Sequence, residues 1–69
     1  MRRGDRLFEI IEILRRAKGP ISAQSIGEEL GVTKRTVYRD VAALIGQGVP
    51  ITGEAGVGYV LEPGFHMPP

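Results

Sequence analysis

Sixty-nine residues, nine Lys and Arg against eight Asp and Glu, and a net charge of +1 describe one small domain with no gross bias toward any charged partner. Without cysteine the chain has no disulfide, no thiolate nucleophile and no zinc finger, and its size limits burial to about 60% of the unfolded surface. No apolar run approaches the roughly 20 residues of a membrane span, and the basic start leads into an amphipathic segment rather than a signal-peptide core, so a cytoplasmic, nucleoid-associated protein is the expectation.

Leu7, Ile10, Ile11 and Leu14 recur at helical spacing, with Phe8, Ile13 and Ala17 widening the apolar stripe. Arg6, Glu9, Glu12, Arg15 and Arg16 fall on the other side. With Asp5 as N-cap and Gly19-Pro20 as the stop, the spacing predicts a first helix over about 5–18. Ile21 follows in an extended stretch long enough only to bridge to another strand. Ser22 is placed to cap a second helix of about two turns, lined by Ala23, Ile26, Gly27 and Leu30 and ended by Gly31. Thr33 caps a third, with Val37, Val41, Leu44 and Ile45 as its buried face and its end near Gly46 or Gln47. Val49 to Thr52 and Tyr59 to Leu61, joined by the glycine-rich Gly53 to Gly58, read as a hairpin. The predicted fold is mainly α with a small β-hairpin: a winged helix-turn-helix with a three-helix core and a two-stranded wing. The module is expected over 1–62, with 63–69 as a tail or the start of a linker. His66 is alone in that tail, with nothing nearby to complete a metal site.

Charge is unevenly distributed. Residues 1–40 hold all nine bases against six acids, a net of +3, whereas residues 41–69 hold two acids and no base, a net of −2. A polyanion should meet the first forty residues, where basic side chains can displace condensed counterions. The informative stretch runs from Ser22 to Ile45. A small residue at Gly27 lets the second and third helices approach, Gly31 makes the turn, and Val32 plugs the angle between them, holding the third helix out from the body. Its polar face is Lys34, Arg35, Thr36, Tyr38 and Arg39. Arg35 and Arg39, four residues apart, project from one side, and an arginine fork can bond both O6 and N7 of guanine. The expected base contacts are therefore Arg35, Thr36 and Arg39. Lys34 and Tyr38 suit the groove edge, and the capping residues Thr33 and Ser22 with Ala23 and Gln24 suit phosphate. Asp40 occupies a position where the helix-turn-helix pattern expects an apolar residue, and pairing with an arginine of the first helix is its natural use.

Two other readings compete with DNA binding. A charged helix face can instead meet an acidic protein, making the module one of protein–protein contact. An enzyme is disfavoured, because no nucleophile–base pair, convergent carboxylates or catalytic residue can be named. The wing's glycines suggest turn geometry rather than a phosphate cradle, since no helix follows them. Glu54 is the wing's only charge, and Tyr59 is expected to pack beneath it.

Arg6-Leu7, Pro20-Ile21-Ser22-Ala23, Leu30-Gly31-Val32-Thr33, the run Arg35-Thr36-Val37-Tyr38-Arg39-Asp40-Val41, then Leu44, Gly48-Val49-Pro50-Ile51 and Gly58-Tyr59 together resemble the N-terminal DNA-binding domains of bacterial WYL-domain transcriptional regulators, a DeoR-like winged-helix group. The resemblance reaches about Leu61. It implies a sequence-specific transcription factor on double-stranded DNA, with a ligand-sensing WYL domain beyond Pro63–Pro69 that can supply a homodimer interface. No cofactor, metal or small-molecule ligand is implied for these residues. Two departures stand out: Ser25 replaces the glutamate of a capping box, and the wing, commonly basic in that group, has neither Arg nor Lys.

Overall fold

The computed structural model describes residues 2–54 and 56–65. The element order is α1 (Arg3–Arg16), α2 (Ala23–Leu30), α3 (Lys34–Gly46), β1 (Ile51–Glu54) and β2 (Gly58–Leu61). Three helices and an antiparallel two-stranded hairpin make a winged helix-turn-helix, as the pattern predicts.

The core lies where the three helices and the base of the hairpin converge. Ile10, Ile11, Ile13 and Leu14 of α1, Ala23 and Ile26 of α2, and Val37, Val41 and Leu44 of α3 are buried, with Ile51 and Tyr59 closing it from the wing. Each large apolar side chain removed from water contributes about 1.5–3 kcal/mol, and in so small a domain every one matters.

α1 starts earlier than expected. Arg2 is its N-cap and makes no side-chain cap bond, while Asp5 sits inside the first turn. An acid there suits the helix dipole, so Asp5 helps the start without marking it. The helix ends at Ala17, which is already extended ahead of Gly19-Pro20. Phe8 is 56% and Ile45 49% exposed, so the α1 stripe and the inner face of α3 are narrower than periodicity suggested. Arg6 departs the other way: it turns inward toward α3 rather than joining the solvent side.

The wing is also shifted. Val49 and Pro50 precede β1, and Gly53 and Glu54 belong to it, paired with Tyr59 and Gly58. Long-range bonds set this register: Glu62 N–H donates to Pro50 O (2.9 Å), Ile21 N–H to Tyr59 O (3.1 Å) and Tyr59 N–H to Ile21 O (2.8 Å). The expected bridge from Ile21 is therefore present, and it joins the α1–α2 link to the wing. Gly58 permits this. Its φ is +126°, and a Cβ there would stand 2.9 Å from the Cβ of Pro20. Tyr59 packs beneath the wing as expected, and Phe65 rests against the core. His66 and the end of the tail lie outside the described residues.

Candidate nucleic-acid interface

Local chemistry sets the angle between α2 and α3. Gly31 ends α2 in the left-handed conformation (φ +73°), and Val32 N–H donates to Gly27 O at 2.9 Å. A Cβ on Gly27 would stand 2.6 Å from the carbonyl oxygen of Val32, so only glycine fits beneath this turn. Val32 is half-buried against the core. α3 then starts cleanly: Thr33 Oγ1 accepts from Thr36 N–H (3.2 Å) and donates to Thr36 Oγ1 (3.2 Å).

α3 carries two distinct faces. Val37, Asp40, Val41 and Leu44 point inward and are buried. Lys34, Arg35, Tyr38 and Arg39 are exposed, and Thr36 is intermediate. Among the described residues, no carboxylate lies within 4 Å of Lys34, Arg35 or Arg39, whereas Arg6, Arg15 and Arg16 each have one. The cations on the projecting helix are thus available to an outside polyanion.

The residues assigned to phosphate at α2 have a different character. Ser22 Oγ accepts from Ser25 N–H (3.1 Å) and donates to Ser25 Oγ (3.0 Å), so its proton is already engaged. Ala23 is buried and can offer only its backbone N–H, while Gln24 is exposed and loosely held by Glu28 at 3.4 Å. Thr33 is similarly committed to its cap. The hydroxyl protons left free by these two caps belong to Ser25 and Thr36.

Asp40 accounts for the break in the apolar pattern. Only 2% exposed, it accepts from Nε and Nη2 of Arg6, the latter at 3.1 Å, and Arg3 Nε stands 3.9 Å from its Oδ1. This hydrogen bond to Asp40 raises the Arg6 pKa beyond its ordinary value, so the guanidinium stays charged. Arg3, Arg6, Thr36, Arg39 and Asp40 line a hollow of about 190 Å³ where α1 meets α3. Sequence reasoning left Arg3 out of the site. The signal was the misplaced Asp40, which draws the start of α1 to α3. The wing adds little positive charge: Glu54 is exposed and so is Val57.

No helix among the described residues is long and apolar enough to cross a membrane, and they contain no cluster of potential metal ligands. A three-helix core with a wing, and an unpaired basic face on the projecting helix, define a DNA-binding helix-turn-helix domain of the kind found in transcription regulators. The helix-turn-helix (HTH) domain family model matches residues 6–60, and the chain belongs to that family. Among curated relatives, the "Probable transcription repressor NiaR" of Thermotoga maritima is 39% identical over 62 residues, which is 90% of this chain and 35% of that protein. The chain therefore spans about a third of the length of that relative.

Proposed function

We propose that this domain reads a specific duplex sequence with α3 in the major groove, serving as the DNA-binding part of a bacterial transcription regulator. The observation that supports it most is the outward face of α3: exposed Arg35 and Arg39 one turn apart, beside Lys34 and Tyr38, without an acidic neighbour within 4 Å among the described residues. Arg35, Thr36 and Arg39 face base edges in this reading. Lys34 and Tyr38 meet phosphates along the groove, and the helix starts at Thr33 and at Ser22, Ala23 and Gln24 seat others through backbone N–H groups.

At the level of the whole regulator, similarity to a probable repressor favours repression. The WYL-type resemblance runs from Arg6-Leu7 to Gly58-Tyr59 and is most specific from Arg35 to Val41. It adds a C-terminal ligand-sensing domain and a homodimer reading half-sites about one helical turn apart.

The test is fluorescence anisotropy of a labelled random-sequence duplex at two salt concentrations, with wild type and an Arg35→Ala/Arg39→Ala double variant. Salt-sensitive binding that the double variant loses supports α3 as the face that meets DNA, and a larger loss on a preferred duplex than on the random one assigns Arg35 and Arg39 to bases. Binding absent at low salt, or indifferent to both substitutions, replaces it with a protein-contact module whose acidic partner meets the same face.

A further inference from the structure

The hollow between α1 and α3 carries an excess of positive charge that the helix-turn-helix alone does not explain. Three arginines, Arg3, Arg6 and Arg39, line it with one acid, Asp40, and of the three only Arg3 and Arg6 come within 4 Å of that carboxylate. Arg6 takes Asp40 side-on through two nitrogens and so satisfies it. Arg3 is left with a single marginal approach, Nε at 3.9 Å from Oδ1, and its side chain is 65% exposed. The other walls of the hollow are Thr36 and Arg39, both on the helix proposed to enter the groove.

We propose that Arg3 is a DNA-phosphate contact, making the start of α1 a second backbone clamp beside the recognition helix. This inference rests on the reading of α3 given above. A helix seated in a groove about 12 Å wide has sugar–phosphate backbone on either side of it. A side chain that shares a wall with Arg39, yet stands on the neighbouring helix, meets that backbone rather than base edges. Arg6 and Asp40 are positioning residues here. Their partly buried pair holds α1 against α3 and cancels the charge that would otherwise tether Arg3 inward. Asp5, in the same turn of α1, is exposed and does not line the hollow.

A phosphate contact predicts a sequence-independent loss. In the 69-residue chain, Arg3→Gln should reduce the slope of log affinity against log salt by about 0.9 and weaken binding to a labelled random-sequence duplex roughly three- to sixfold near 0.15 M salt. Arg3→Lys should keep the slope, because a point charge suffices for a phosphate. The thermal midpoint should be unchanged in both, since Arg3 is mostly exposed. A merely structural role would lower the midpoint and leave the slope intact, which overturns the proposal. So does a wild-type slope in Arg3→Gln while Arg35→Ala/Arg39→Ala abolishes binding; that result removes the Arg3 contact and leaves the role of α3 standing. Absence of salt-sensitive binding in wild type removes both.

Discussion

α1 and α3 are nearly equal in length, at 14 and 13 residues, and both carry basic side chains, four arginines on one and Lys34, Arg35 and Arg39 on the other. Every arginine of α1 lies within 4 Å of a carboxylate: Arg3 and Arg6 near Asp40, Arg15 near Glu12, Arg16 near Glu29. Among the described residues, none of the three cations on α3 does. The same residue types therefore do different work. On α1 the charges largely close on the protein itself, while on α3 they open outward. A net charge of +1 conceals this, because five of the eight acids lie on α1 or pair with its arginines, and none is exposed on α3.

The comparison breaks first at Asp40. Arg6→Met leaves a carboxylate that is 2% exposed with Arg3 as its nearest cation, and the uncompensated burial of Asp40 should cost about 3 kcal/mol, read as a lower urea midpoint. An unchanged midpoint would mean that the α1 charges are no more structural than those of α3. Next come the opposite substitutions. Arg35→Ala or Arg39→Ala should leave the urea midpoint within about 0.5 kcal/mol of wild type, yet cost roughly 1–3 kcal/mol of binding to a preferred duplex. Equal losses on preferred and random duplexes would assign these arginines to phosphate instead of bases. Lys34→Ala should weaken all duplexes alike and reduce the salt slope by about one. Arg16→Ala, which removes the exposed pair with Glu29 (3.5 Å), should change stability by less than about 1 kcal/mol and leave DNA affinity untouched. The smallest effect concerns pH. Burial, followed by the charge of Tyr38, raises the Tyr59 phenol above its ordinary value of 10.0. The folded chain thus holds that proton more tightly than the unfolded one. The contribution of this group to stability is complete below pH 10 and is lost as pH rises beyond it, so a denaturation series across pH 8–11 should show its effect only at the upper end.

Much of the helix-turn-helix was legible because its signals are local. Ser22, Gly31 and Thr33 each act within a few residues, and each does in the structure what its position implied. Gly27 was legible for the same reason, though its close neighbour is the carbonyl of Val32 in the turn rather than the body of α3. What could not be read depends on distant partners. Periodicity identifies the apolar face of α1 but not its width, so Phe8 was expected inside, as was Ile45 on α3. The strands shifted because Ile21 and Glu62, outside the hairpin run, fix its register. Arg3 entered the candidate site through Asp40, whose partners lie 34 and 37 positions away.

The reciprocal bonds between Ile21 and Tyr59 have a consequence for how the domain is assembled and how it can be cut. They join backbone positions 38 residues apart, on the link between α1 and α2 and on the second wing strand. The wing is thus an integral closure of the core rather than an appended ornament. Removing residues 51–61 would take Ile51 and Tyr59 out of the core and leave Ile21 without its backbone partner. A three-helix fragment carrying an intact recognition helix should therefore lose its shape before it loses its charges. During folding, the hairpin has to wait for the link to be in place, since the contact spans more than half of the chain and its loop entropy is met only when the helices have already drawn their ends together. In hydrogen exchange, the amides of Ile21 and Tyr59 should report opening of the whole module, and those at the wing tip only local fluctuation.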